Sequence, residues 1–326
     1  MRNIVIFVLV AALATAAGAT AGPGAAKVSG SNGRIAFAHF DRASGGDLVY
    51  TANPDGSHVR LLYSGPGEAP HWAPDGTRVS VNRACVDGQE NCAATIVEVD
   101  SGDFRQFKWP DPTLETNCGV WTADGRRLAC ESFGIDDSSR NGVYTIRASD
   151  GRGLTRITSI PGGDDNPGDF SPDGRRLVFA RSVDDEPVGL FVIRLDGTGL
   201  NRITPPGFLK EGETGASWSP NGNRILFANR TSADNRLAVW VVKADGGDLH
   251  KLPIEPACGG LFADPTSISC FQPGWSPDGT KIIFTRISAN GTQKNVYMVN
   301  ADGSGLTRVT NTGADQPDWG SHSLLP

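Results

Sequence analysis

Six cysteines, five histidines and a recurring set of carboxylates and amides are the residues in this 326-residue sequence that could do chemistry. The cysteines form three local pairs: Cys85 with Cys92, Cys118 with Cys130, and Cys258 with Cys270. Thiols so arranged form disulfides in an oxidising compartment or hold a metal. The C-x6-C and C-x11-C spacings lack the C-x2-C knuckle of a zinc site, and no histidine is interleaved. Disulfides within the local pairs are therefore expected, although sequence alone leaves the connectivity open. The histidines, His39, His58, His71, His250 and His322, are scattered, whereas a transition-metal site gathers two or three imidazoles. The third set precedes a recurring aromatic residue: Glu68 and His71, Asn117, Asn166 and Asp169, Glu213 and Ser217, Gln272, then Asp315 and Asp318. Gathered in a ring, these groups would hold a cation or a basic peptide segment. The plainer alternative is a hydrated channel filled with ordered water.

What gathers them is a repeat. Ala-Pro-Asp-Gly at 73–76 returns as Thr-Ala-Asp-Gly at 122–125, Ser-Pro-Asp-Gly at 171–174, Ser-Pro-Asn-Gly at 219–222 and Ser-Pro-Asp-Gly at 276–279. An aromatic precedes each: Trp72, Trp121, Phe170, Trp218 and Trp275. A basic residue and a β-rich run follow, as in Arg176-Leu177-Val178-Phe179-Ala180. A second strand, a second Asp-Gly turn and a closing strand such as Leu154-Thr155-Arg156-Ile157-Thr158 complete the unit. Pro presets φ at the second turn position, and Gly supplies the positive φ that closes the hairpin. The turn aspartates are accordingly read as turn formers, since a calcium loop needs several oxygen ligands at alternate positions. Four short strands per repeat make a propeller blade. The chain ends complete a sixth: Asp315-Gln316-Pro317-Asp318-Trp319 supplies an innermost strand, and Asn32-Gly33-Arg34-Ile35-Ala36-Phe37 its sequel. The predicted fold is all-β, a six-bladed β-propeller of four-stranded blades closed by joining N- and C-terminal strands in one blade. Its innermost strands line a central channel, and the signature aromatics pack between blades. Trp109, outside that register in Lys108-Trp109-Pro110-Asp111-Pro112, is a candidate exposed contact.

Composition narrows the function classes. With 41 Gly and 21 Pro spread along the chain, long helices are excluded, while 38% apolar residues suffice for a core. The net charge is −6 and no stretch concentrates Lys and Arg, which argues against a nucleic-acid partner. Arg2, the apolar run from Ile4 to Ala17 and the small residues ending in Ala19-Thr20-Ala21 have the form of a secretory signal peptide. The expected organisation is a signal peptide at 1–21, a linker at 22–31, the propeller at 32–320 and a tail at 321–326. No other run could cross a membrane. An exported monomer follows, periplasmic or extracellular and bacterial.

The Trp-Ser-Pro-Asp-Gly signature, with Asp-Gly and Leu-Thr downstream, resembles the WD-repeat-like propeller repeat of the TolB family, over residues 32–320. The same repeat occurs in the propellers of prolyl oligopeptidase-type proteases. The resemblance implies a propeller. It does not extend to TolB's leading α/β domain, expected to be absent here, nor to a hydrolase domain, since no Gly-x-Ser-x-Gly elbow occurs. Pectate-fragment lyases similar in repeat type carry a His-rich metal centre, and this chain lacks that cluster. The expected function is a non-catalytic binding or scaffold propeller. It presents its channel mouth and loops to an envelope or extracellular protein, peptide or glycan. The alternative is a secreted hydrolase or lyase with a metal-assisted site in the channel. No cofactor is expected, a channel-bound divalent cation being the variant of that reading.

Overall fold

The computed structural model describes residues 30–82, 92–183, 186–210, 215–230, 237–254, 258, 269–288, 293–311 and 313–325. The expected signal peptide at 1–21, most of the expected linker at 22–31, Cys85 and Glu213 lie outside the described residues. Six four-stranded antiparallel sheets form the blades. Blade 1 orders Ala314–Trp319, Ile35–Asp41, Gly46–Ala52 and Arg60–Tyr63 from the innermost strand outward. Blade 2 comprises Glu68–Trp72, Arg78–Asn82, Cys92–Glu98 and Phe104–Lys108. Blade 3 comprises Leu114–Trp121, Arg127–Gly134, Gly142–Arg147 and Thr155–Arg156. Blade 4 comprises Asp164–Phe170, Arg176–Val183, Glu186–Arg194 and Asn201–Arg202. Blade 5 comprises Ser217–Trp218, Arg224–Arg230, Leu237–Lys243 and His250–Lys251. Blade 6 comprises Ser269–Trp275, Lys281–Ile287, Lys294–Asn300 and Thr307–Arg308. No helix among the described residues is long and apolar enough to cross a membrane.

The repeat turns work as their chemistry dictates. In blade 4, Ser171 Oγ donates to Asp173 at 2.5 Å, Asp173 accepts the Arg175 N–H at 3.0 Å, and Gly174 takes φ 67°. Ser276 with Asp278 (2.7 Å) and Ser219 with Asn221 (2.8 Å) repeat the arrangement. Burial opposes ionisation of Asp173, but the bonds from Ser171 and Arg175 outweigh it, so its carboxyl lies below the ordinary range. These side chains close hairpins.

Each signature aromatic sits at a seam between consecutive blades. Trp72 packs with Ala36 and Val49 of blade 1 and with Val79 and Val97 of its own blade. Trp121 bridges Ile96 of blade 2 to Leu128 of blade 3, and Phe170 bridges Val143 of blade 3 to Leu177 of blade 4. Trp218 joins Val178 to Ile225, and Trp275 joins Leu226 to Ile282. Trp319 joins Ile283 and Val296 of blade 6 to Ile35 and Phe37 of blade 1. Two seams add a guanidinium stacked on the next blade's indole: Arg78 over Trp121 at 4.7 Å and Arg176 over Trp218 at 4.9 Å.

Closure follows from strand pairing. Ile35 faces Trp319, and Ala36 faces Asp318. The backbone adds Gly33 N–H to Gly320 O and Arg34 N–H to His322 O, both 3.0 Å. The tail is tied down as well: His322 Nδ1 lies 2.8 Å from Gly76 O, and Leu325 N–H donates to Asn53 Oδ1 at 2.9 Å. The innermost strand of blade 1 is thereby supplied by the far end of the chain, which leaves no open sheet edge there.

Cys118 and Cys130 face each other directly in blade 3 and form a disulfide. Cys258 bonds to Cys270, fastening the long connection between blades 5 and 6. Cys92 is also disulfide-bonded, and no described cysteine is free. Each short-loop bridge contributes about 3 kcal/mol by restricting the unfolded chain. Alkylation of the unreduced, denatured protein is expected to label no thiol by mass spectrometry. Labelling of two or more would contradict the three-bridge arrangement.

Candidate functional site

The innermost strands of all six blades enclose one central cavity of about 390 Å³. Its polar lining comprises Glu68, His71 and Asn82 from blade 2, Asn117 and Glu131 from blade 3, and Asn166 and Asp169 from blade 4. Ser217, Gln272, Gln316 and Asp318 complete the ring from blades 5, 6 and 1. None of the described lining residues is Lys or Arg. The cavity is therefore rich in hydrogen-bond acceptors and amides and poor in fixed positive charge.

The backbone that presents these groups is bulged. Register shifts interrupt pairing between Glu68 and His71, Cys118 and Val120, Pro167 and Asp169, and Phe271 and Gly274. Gln272 and Gln316, each followed by Pro, sit at φ 51°. A left-handed non-glycine residue costs on the order of 1–3 kcal/mol. Here it turns the chain by one residue, so that Gln316 rather than Asp315 lines the cavity. Asp315 is buried instead, and Lys294 Nζ donates to it at 2.7 Å. Burial pushes its carboxyl above the ordinary range, Lys294 opposes this, and Asp47 and Glu68 reinforce it.

The remaining carboxylates divide by role. Asp318 accepts the Trp72 N–H at 2.7 Å through Oδ2 and the Trp319 N–H at 2.9 Å through Oδ1. Asp169 repeats this three seams away, on the opposite side of the ring, accepting Trp218 N–H at 2.9 Å and Phe170 N–H at 2.8 Å. Both carboxylates are clasps that tie one blade to the next. Asp318→Ala leaves two N–H groups without an acceptor and is expected to cost about 1–3 kcal/mol in urea unfolding. Glu131→Gln keeps an acceptor for Asn166 and is expected to cost less than about 0.5 kcal/mol. Equal losses would contradict the division. Glu131 accepts from Asn166 Nδ2 at 2.8 Å, while Gln316 Oε1 accepts the Ala69 N–H at 2.7 Å. Glu68 and Glu131 add two further carboxylates to the cavity lining.

Glu68, His71, Asn117, Asn166, Asp169, Ser217, Gln272 and Asp318 are thus brought together on one lining; Asp315 is not, and Glu213 lies outside the described residues. Asn82, Glu131 and Gln316 join them unforeseen. Cross-strand pairing carries the signal for two of these, since Asn82 faces Glu68 and Glu131 faces Asn117. Trp109 is half-buried against the blade 2–blade 3 core rather than an exposed contact. Its loop is pinned by Asp111, which accepts from Arg140 at 2.6 Å and from Thr113 at 2.9 Å. The Arg140 guanidinium, then the Thr113 N–H and hydroxyl, pull the Asp111 carboxyl down to about 2. A depressed folded-state pKa gives stabilisation present above the unfolded value and lost as pH falls through about 2. An NMR titration of Asp111 is expected to show a midpoint near 2, moved toward the ordinary value by Arg140→Ala.

Topology separates the two ends of the channel. The first-to-second strand turns, at 73–77, 122–126, 171–175, 219–223 and 276–280, are all of one length. At the opposite end lie the connections of uneven length, including 203–216 and 252–268. That end is the mouth where the innermost strands begin and where Glu68, Asn82, Asn117 and Glu131 sit.

Comparison with known proteins agrees with this architecture. An uncharacterized protein of Agrobacterium fabrum is 28% identical over 274 residues, covering 70% of this chain and 88% of that protein. TolB from Acinetobacter baumannii superposes with a TM-score of 0.65 at 18% identity, over 88% of this chain. The chain spans 66% of that TolB's length. An oligogalacturonate lyase in complex with manganese superposes with a TM-score of 0.55 at 14% identity, covering 82% of this chain and 72% of the lyase. These structural likenesses show the fold alone. Among the described residues, no group of three or more His, Cys, Asp and Glu side chains could hold a metal ion. The family described as the TolB beta propeller domain matches residues 25–259, more than half the sequence, and the chain belongs to that family.

Proposed function

We propose that this protein is an exported, non-catalytic binding propeller whose channel mouth receives a basic segment of a partner protein in the bacterial envelope or outside the cell. The observation that carries the reading is the cavity lining: acceptors and amides from six blades, with Glu68 and Glu131 at the mouth and no lysine or arginine among the described lining residues. Such a lining favours an inserted Lys or Arg side chain, which brings donors and the opposite charge. The uneven connections around the same mouth supply a surface for specificity, as loops on rigid scaffolds commonly do. Export is supported by the apolar N-terminal run and by the disulfides.

The test is affinity capture from extracts of the source organism with the mature chain, residues 22–326, beside a Glu68→Gln/Glu131→Gln variant. A partner held by the wild type, released by moderate salt and lost by the variant supports the reading. Capture unaffected by the variant would move the contact away from the channel and overturn it. The secreted-enzyme alternative predicts stoichiometric metal in the purified protein and turnover of a glycan or ester.

A further inference from the structure

A second cleft, of about 700 Å³, opens at the seam of blades 4 and 5. It lies at the even-turn end of the propeller, opposite the acidic mouth: Gly222 and Asn223 on its wall belong to the 219–223 turn, and Gly199 to the third-to-fourth strand turn of blade 4 at the same end. Four cations line it, Arg176, Arg194, Arg224 and Lys243, against one carboxylate, Asp245. In a chain of net charge −6 this is a net positive lining, with Asp173, Asp196 and Asp248 acting on Arg176, Arg194 and Arg224 from outside it.

The positive lining is built into strand register. Arg176 faces Arg194 in blade 4, and Arg224 faces Lys243 in blade 5. Like charges directly opposite one another destabilise a sheet. The equivalent positions of other blades avoid the problem. In blade 2 Arg78 faces Glu98, and in blade 6 Lys281 faces Asn300 and donates to it at 3.0 Å. In blade 3 Arg127 faces Arg147, but Asp150 three residues on grips Arg147 through two bonds of 3.0 and 2.8 Å. Blades 4 and 5 place their turn aspartate one residue earlier. Asp196 caps the Thr198 N–H at 2.9 Å, and Asp245 caps the Gly247 N–H at 2.9 Å. Arg194 and Lys243 form no salt bridge among the described residues, although Arg194 still draws the nearby Asp196 carboxyl down through space. Arg224 pairs with the half-exposed Asp248 at 3.1 Å, and Arg176 sits over the Trp218 ring and draws the Asp173 carboxyl down through space.

We infer that this cleft binds a small ligand carrying two tetrahedral oxyanion groups, phosphoryl or sulfuryl, one held by Arg176 and Arg194 and the other by Arg224 and Lys243. Guanidinium forks match such oxygens in bidentate fashion, and the ligand's charge would relieve both cross-strand repulsions. The volume suits a compact molecule rather than a polymer lying across the surface.

Isothermal titration of the mature protein with pyrophosphate, in metal-free buffer, tests this. Saturable one-to-one binding that weakens with salt is expected, together with a loss of about tenfold or more for Arg194→Gln and again for Lys243→Gln. Both residues are exposed, and without ligand each variant should melt at or above the wild-type temperature because a like-charge pair is removed. Methanedisulfonate serves as the sulfuryl probe: its exclusion assigns a phosphoryl ligand, and its binding at similar strength extends the site to sulfuryl groups. No saturable binding of either probe, or equal pyrophosphate affinity in wild type and both variants, would overturn the inference.

Discussion

Trp319→Ala is expected to lower the unfolding free energy by about 3–5 kcal/mol, the range for deleting a large aromatic from a packed core. The residue is 1% exposed and sits where the two ends of the chain meet. It shares one buried cluster with Ile283 and Val296 of blade 6 and Ile35 and Phe37 of blade 1, and its Nε1 donates to Gly33 O at 2.9 Å. Removing it opens a cavity at the seam that closes the ring, and the cost includes that cavity. Trp109→Ala, at a half-buried loop position, is expected to cost less than half as much. Urea unfolding followed by far-ultraviolet circular dichroism decides between them. A loss below about 1 kcal/mol for Trp319→Ala would mean that closure does not depend on this indole.

Asp165→Ala is expected to be as damaging, by about 3–5 kcal/mol, for an electrostatic reason. The Asp165 carboxylate is fully buried and accepts two bonds from Arg181, at 2.6 and 2.7 Å. The guanidinium lies beside the stacked rings of Phe179 and Phe191, 5.3 and 5.5 Å from their centroids. Without Asp165 the guanidinium loses its counter-charge in a site with little access to water. The double change Asp165→Leu/Arg181→Met removes both charges and is expected to recover most of the loss, since an apolar pair of similar volume often equals a buried ion pair. Failure of the double variant to recover would show that the pair does more than neutralise itself. Asp165 adjoins Asn166 on the innermost strand of blade 4, so the same pair steadies the Asn166–Glu131 contact at the cavity.

Much of this was legible in the sequence because the determinants are local and repeated. The Pro-Asp-Gly turns, the aromatic before each, and the incomplete unit Asp315–Trp319 specify blades and closure without knowledge of distant contacts. The Cys118–Cys130 pairing follows from two residues equidistant from one turn. The division of labour among the cavity residues was not legible. The bulge that puts Gln316 in place of Asp315 depends on a left-handed residue before Pro, which a strict two-residue alternation misses. Asp169 and Asp318 read as free channel acids because their acceptor role is set by N–H groups of the neighbouring blade. The basic cleft was hidden for the same reason: its four cations come from four strand ends and never form a run along the chain.

Fluorescence anisotropy with a labelled peptide rich in Arg and Lys, beside its Glu-substituted counterpart, shows whether the acidic mouth receives a basic segment. The mature wild type is expected to bind the basic peptide alone, more weakly as salt rises. Glu68→Gln/Glu131→Gln is expected to reduce that affinity about tenfold or more with no change in melting temperature. Indifference to peptide charge, or equal binding by the variant, would contradict the account.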